Sequence, residues 1–171
     1  MTEIIIIRHG ETEWNKTGRF QGHSDVPLSE EGRAQAEALG RNLVLDHADA
    51  IYASDLTRAI ETATPLAKRF GLTVMPDPLL RELNFGAWEG RNFQDVNAES
   101  PDAMKRFYSD PERVDIPNSE PFPDFQKRVA GRVREIVLEQ RGKRIIIVSH
   151  GASIRILLAD ILFMPIRSIW H

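Results

Sequence analysis

Two apolar runs constrain this chain more than anything else in it. Ile4, Ile5, Ile6 and Ile7 lead directly into Arg8-His9-Gly10-Glu11-Thr12, and Ile145, Ile146, Ile147 and Val148 lead into Ser149-His150-Gly151. Consecutive β-branched aliphatics suit a strand covered on both faces, as in a parallel sheet flanked by helices. Open α/β sheets bind ligands just outside the carboxyl ends of such strands. Each run thus delivers a histidine and a glycine to the end of the sheet where ligands bind. If the strands are neighbours, both imidazoles share one pocket, and Gly10 and Gly151 let backbone amides come close to a ligand.

Helical patterns alternate with strand patterns along the rest of the chain, which predicts an α/β fold: a three-layer sandwich with a mostly parallel central sheet and helices on both faces. Ser29 reads as the cap of a helix from Glu30 to Leu45, and Asp49 to Ala53 as a short strand. Ser54 reads as the cap of a helix from Asp55 to Phe70 that Gly71 stops and that Pro65 kinks or interrupts. Leu72 to Met75 reads as a strand ended by Pro76 and Pro78. Phe125 to Gln140 and Ser153 to Leu162 carry helical spacing. The stretch from Arg81 to Pro123 is irregular, and an insertion of that length near a sheet end suits a lid or specificity segment.

At 171 residues the chain reads as one domain, 1–171, with a sizeable core. A formal charge of −3 argues against nucleic acid as a partner, so affinity for anions has to be local. There is no cysteine, hence no thiolate nucleophile and no cysteine-bound metal. The start, acidic at Glu3 and charged at Arg8, is unlike a secretory signal, and no apolar run reaches membrane-spanning length. The expectation is a soluble, cytoplasmic protein without membrane contact. The apolar ending at Ile169, Trp170 and His171 leaves room for a homodimer, and for further residues beyond it.

A neutral imidazole is a competent nucleophile toward phosphorus and can form a phosphohistidine. His9 is the candidate for that role. The transferred group carries charge on its peripheral oxygens, so cations have to surround it, and Arg8 and Arg58 are the candidates, their planar forks suiting phosphate oxygens. His150 supplies a further donor. The leaving oxygen needs a proton from the opposite side, and Glu82, which opens the irregular segment, is placed to give it; the role calls for burial, and for Arg81 to point elsewhere. His23 reads as loop surface, with pocket contact as the lesser alternative, and His47 as a solvated helix end. Trp14, Phe20, Phe85 and Trp88 either line the leaving-group pocket or pack the core. A metallohydrolase lacks ligands at metal spacing, and a phosphate-sensing module without catalysis would be missing a reactive residue, which this chain is not.

Arg8-His9-Gly10-Glu11-Thr12, Arg58 in Ser54-Asp55-Leu56-Thr57-Arg58-Ala59, Glu82 in Glu82-Leu83-Asn84-Phe85-Gly86-Ala87-Trp88-Glu89-Gly90, and Ser149-His150-Gly151 together resemble the histidine phosphatase superfamily, in its phosphoglycerate mutase-like branch. The resemblance covers nearly the whole chain. It implies a phosphohistidine at His9, a phosphate pocket of Arg8, Arg58 and His150, Glu82 as proton donor, contacts to phosphate or substrate from Asn15 and the backbone near Gln21 and Gly22, and neither metal nor cofactor. Arg91 to Pro123 is short beside the basic, proline-rich insertion of the cofactor-dependent mutases, so the chain looks more like the small phosphatases. Ser119-Glu120 stands where many members carry Gly-Glu-Ser, with the order changed and Asn118 in place of the glycine. The resemblance implies hydrolysis of a small phosphate monoester, with α-ribazole 5′-phosphate of cobalamin biosynthesis first, a broad range of sugar or organic-acid phosphates second, and phosphoglycerate mutase activity third.

Overall fold

The computed structural model describes residues 1–170; His171 lies outside them. In chain order the main elements are β1 (Glu3–Arg8), α1 (Glu13–Lys16), α2 (Glu30–Asn42), β2 (Ala50–Ser54), α3 (Thr57–Phe70), β3 (Val74–Asp77), α4 (Phe93–Glu99), α5 (Pro101–Ser109), α6 (Phe122–Glu139), β4 (Arg144–Ser149) and α7 (Gly151–Ile161). The four strands form one all-parallel sheet in the order β1-β4-β2-β3.

The two isoleucine runs are neighbours, as their sequence suggests, and their register pairs Arg8 with Ser149. Their burial differs. β4 lies between β1 and β2, and Ile145 to Val148 are completely buried; β1 is the outer strand and its isoleucines are half-buried. The two-residue alternation splits the sheet between two cores. Ala50, Tyr52, Ile145 and Ile147 pack against α6 and Leu157 of α7, while Ile51, Ala53, Ile146 and Val148 pack against α3, with Leu39 of α2 at the margin. Burying the four residues of β4 contributes about 2 kcal/mol each before entropy is charged against it. These are the three layers anticipated from the alternation of helix and strand signals.

Local chemistry moves several boundaries. α2 ends at Asn42, short of Leu45, and His47 lies exposed in the loop that follows. Ser54 is the last residue of β2 and not a helix cap; α3 starts at Thr57, and the cap comes from a distant loop, where Asp25 accepts from Thr57 N at 2.7 Å and Thr57 Oγ1 at 2.8 Å. Pro65 does not end α3, which continues to Phe70 and stops at Gly71 in the left-handed region. Pro76 lies within β3, an outer strand, where a missing N–H is tolerated. α6 starts three residues before Phe125, and α7 starts at Gly151 instead of Ser153.

The irregular segment from 81 to 123 holds a core of its own. Leu83, Phe85, Trp88, Phe107 and Phe122 pack with Ile156 of α7 and with Ile166 and Ile169. Phe85 and Trp88 are therefore core residues, and Trp170, half-buried, lies 4.9 Å from Phe107, centroid to centroid. The apolar pair Ile169 and Trp170 packs against this core, Ile169 buried and Trp170 half-buried. No helix among the described residues is long and apolar enough to cross a membrane.

The amino end of α2 abuts the loop after β1 without room for a side chain. A Cβ built on Gly32 would lie 1.9 Å from the carbonyl oxygen of Glu11, and one on Gly10 would lie 2.7 Å from that of Gly32. Replacing a helical glycine with alanine at an open site is normally worth about 0.5–1 kcal/mol in stability. Gly32→Ala is expected to reverse that sign and cost about 1–3 kcal/mol by overpacking, read as a lower urea midpoint at unchanged slope. A variant as stable as the wild type would show that the two backbones part freely.

Candidate active site

Parallel register brings both histidines to one end of the sheet. His9 N donates to the carbonyl of Ser149 at 3.0 Å, and the rings of His9 and His150 lie edge to face, centroids 5.1 Å apart. Their hydrogen bonds fix opposite tautomers. His9 Nδ1 lies 2.7 Å from the carbonyl oxygen of Gly10, which can only accept, so the proton is on Nδ1 and the lone pair on Nε2. His150 Nδ1 accepts from Arg58 Nε at 3.3 Å, so its proton is on Nε2, a buried atom without a partner among the described residues. Burial first, and then the charge of Arg58, pushes the His9 pKa down to about 3, and the same two causes hold His150 well below the usual imidazole range. Both rings are neutral near pH 7.

Arg58 stands in the first turn of α3, completely buried. Its partners are His150 Nδ1 and the carbonyls of Gly22 and Ser24, both at 2.8 Å; among the described residues no carboxylate touches it. Burial lowers its pKa, opposed at longer range by Glu82, Asp25 and Glu89. A guanidinium satisfied by neutral acceptors keeps its positive field for an incoming anion. Thr62, one turn along α3, accepts from Gly10 N at 3.0 Å and donates to the Arg58 carbonyl at 2.7 Å, tying the loop after His9 to the helix that carries Arg58.

The loop that supplies those carbonyls is held by Glu89, which accepts from the amides of His23 and Ser24, both at 2.8 Å, from Ser24 Oγ at 2.6 Å and from Phe85 N at 3.1 Å. Gly22 has φ +53°, and a Cβ there would lie 2.0 Å from Glu89 Oε1, so only glycine fits. Its carbonyl is committed to Arg58. Asn15 and Gln21 each use the side-chain oxygen to accept from Thr12, which leaves their amide NH2 groups for a ligand. Arg8 is exposed and has neither a hydrogen bond nor an ion pair among the described residues. A side chain on Gly151 would start 3.6 Å from Arg8 Nε and 4.0 Å from Glu82 Oε2, in the space between cation and carboxylate.

Glu82 is buried, and Arg81 does point elsewhere, its fork clamped on Asp55 at 2.6 Å. The Glu82 carboxylate caps α7 from outside: Oε2 accepts from Ala152 N at 3.0 Å, and Oε1 from Ser153 N at 3.1 Å and Leu83 N at 2.9 Å. Three backbone amides donate to the carboxylate at a helix N-terminus, and the Ser153 hydroxyl, 3.3 Å from Oε1 and 3.1 Å from the Arg81 carbonyl oxygen, can donate or accept there. The Glu82 backbone is fixed as well, by Arg128 of α6, which donates to the carbonyls of Leu79, Arg81 and Glu82 while paired bidentately with Glu120. Asn118, where the resemblance expects glycine, has φ +62°, a region that asparagine shares with glycine.

His9, His150, Arg58, Arg8, Glu82 and Gly151 thus come together, with Asn15 of α1 and the loop residues Gln21 and Gly22 beside them. His23 is not loop surface: it is half-buried, and its Nε2 lies 2.9 Å from the carbonyl oxygen of Glu82. Sequence reasoning missed Asp25, Thr62, Glu89 and Arg128, whose polar atoms act on backbone groups far away in sequence. Among the described residues no cluster of three potential metal ligands occurs.

The family profile described as "Histidine phosphatase superfamily (branch 1)" matches residues 4–171. Phosphoserine phosphatase 1 of Hydrogenobacter thermophilus is 31% identical over 170 residues, 99% of this chain and 81% of that protein. YhfR of Bacillus stearothermophilus superposes with a TM-score of 0.93 at 35% identity, covering 99% of this chain and 84% of the other. The α-ribazole phosphatase of Shigella flexneri superposes with a TM-score of 0.85 at 34% identity, covering 98% and 83%.

Neutral burial of His9 and His150 links stability to pH. In the unfolded chain both rings take up protons as pH falls below about 6.5, whereas folded His9 does so only near 3, so the unfolded state binds more protons and stability is lost as pH drops between those values. His9→Asn is expected to lower the urea midpoint less steeply from pH 6.5 to pH 4 than the wild type does. Parallel slopes would mean that His9 is charged in the fold.

Proposed function

The chain belongs to branch 1 of the histidine phosphatase superfamily, and on that premise we propose that it is a metal-independent phosphomonoesterase working through a phosphohistidine at His9. The observation that carries this reading is a neutral His9 with its lone pair on Nε2, beside a buried guanidinium that no carboxylate neutralises.

In the first step the Nε2 lone pair forms the N–P bond as the P–O bond to the leaving group breaks, and the leaving oxygen takes a proton from the Glu82 carboxyl. Charge on the three peripheral phosphoryl oxygens meets Arg8, Arg58 and the His150 Nε2–H, with the Asn15 and Gln21 amides and the backbone around Gly22 and Gly151 at the rim. In the second step water attacks phosphorus, the N–P bond breaks and returns the lone pair to His9, and Glu82 takes the proton of the water. Glu82 ends as it began, and inorganic phosphate leaves.

For the substrate, α-ribazole 5′-phosphate is our first choice. Its support is the likeness to the Shigella flexneri enzyme, together with half-buried Trp14 and Phe20, next to Asn15 and Gln21 in sequence, and exposed Phe93 stacked 6.4 Å from Phe20, which offer flat apolar contact to an aromatic aglycone. The likeness to phosphoserine phosphatase 1 supports the second reading, broad specificity toward small monoesters. Mutase activity, in which product instead of water accepts the phosphoryl group, is third.

His9→Ala is expected to retain its fold by circular dichroism and to lose more than about 10⁴-fold in kcat, the scale of removing a nucleophile that works as one unit with its neighbours; residual activity of a few per cent would rule out the covalent step. Substrate choice is read from kcat/KM for α-ribazole 5′-phosphate, O-phosphoserine and 3-phosphoglycerate, measured side by side in EDTA. A preference of about a hundredfold for the ribazole ester, about 2.7 kcal/mol in the transition state, is expected. Similar rates on all three would favour broad specificity, and loss of activity in EDTA would overturn metal independence.

A further inference from the structure

We infer that His23 is a positioning residue that sets the place of the Glu82 carboxyl relative to the phosphate held by Arg58. The inference rests on the reading of Glu82 as proton donor.

The carbonyl oxygen of Glu82 accepts two hydrogen bonds, from His23 Nε2 at 2.9 Å and Arg128 Nη2 at 3.1 Å. Both its lone pairs are taken by side chains from separate parts of the fold, the loop after α1 and helix α6. The two donors differ in what else they do. Arg128 also holds the carbonyls of Leu79 and Arg81 and pairs with Glu120, so it fixes the whole approach to Glu82. Among the described residues the His23 ring makes a single hydrogen bond, and that bond goes to Glu82.

The residues on either side of His23 explain why this bond matters. Gly22 and Ser24 supply the two carbonyls that hold the Arg58 fork, and the amides of His23 and Ser24 are pinned on Glu89. His23 is therefore the one residue between the two acceptors of the phosphate-binding guanidinium, and its ring reaches across to the backbone of Glu82. Phosphate oxygens are located by Arg58 and the leaving oxygen has to meet Glu82, so this short bridge sets the distance between the two. A displacement of about an ångström at such a point costs up to a hundredfold in rate. Since Nε2 donates to a carbonyl, Nδ1 carries the lone pair, and the ring acts through position and not by exchanging protons with substrate.

The test uses leaving groups of different quality. O-phosphoserine has an alkoxide leaving group that needs a proton, whereas 2,4-dinitrophenyl phosphate releases a phenolate that does not. His23→Leu is expected to lower kcat/KM for O-phosphoserine by about 10–100-fold while changing that for the dinitrophenyl ester by less than about threefold, because only the acid step depends on where Glu82 sits. His23→Gln, whose amide reaches the position of Nε2, is expected to recover most of the loss, and His23→Asn, one carbon shorter, is not. Equal losses on both esters, or none on either, would overturn the proposal, as would a leucine variant whose loss the glutamine variant fails to recover. If the leucine variant does not fold, the Gln and Asn pair decides by the same criterion. Glu82→Gln is measured alongside: if it slows both esters equally, the donor reading of Glu82 falls, whereas selective loss in Glu82→Gln without it in His23→Leu removes His23 alone.

Discussion

A guanidinium without water contact organises this molecule. Arg58 is satisfied by two loop carbonyls and one imidazole nitrogen, and each of those partners is held in turn: the carbonyls by a loop pinned on Glu89, the imidazole by the end of β4. Leaving such a charge in an apolar interior without good acceptors would cost several kcal/mol. The loop from Gln21 to Asp25 therefore has little freedom. Burial first, and then the same charge, keeps both histidines neutral, so the field that would receive a phosphate also helps preserve the lone pair that would attack it.

Around this centre the fold separates rigid supports from adaptable ones. His9 and His150 sit at the ends of register-paired strands, where the backbone is fixed by the ladder and by completely buried aliphatics. Glu82 lies on irregular backbone and gains its position from side chains: Arg128 and His23 on its carbonyl, the amino end of α7 on its carboxylate. A proton on this carboxylate would meet the Ala152 amide at Oε2, whereas at Oε1 the Ser153 hydroxyl, 3.3 Å away, can accept it.

Much of the site was legible because its reactive residues lie directly after strong strand signals. His9 and His150 follow runs of branched aliphatics, and the two-residue period of a strand leaves little choice about where its end points. Arg58 was legible from its place at the start of a helix. The caps were less so. Ser54 has the right side chain for an N-cap but belongs to β2, and the capping is done by Asp25, more than a helix length away in sequence. Burial was also misjudged: two nearly identical aliphatic runs end up half-buried in β1 and fully buried in β4, since strand order, not composition, decides which strand is central.

By itself the sequence determined the alternation of strands and helices, the two histidine-bearing strand ends and the cationic, cysteine-free chemistry available there, because these depend on local periodicity and on residue type. Tertiary structure alone decided the tautomers, the neutral state of the imidazoles, the role of Glu89 as a loop anchor and the contact of His23 with Glu82. The His9 tautomer comes from a bond to its neighbour Gly10, but the rest arises from burial and from hydrogen bonds between residues tens of positions apart, which exist only once the sheet register and the helix packing have brought the backbones together.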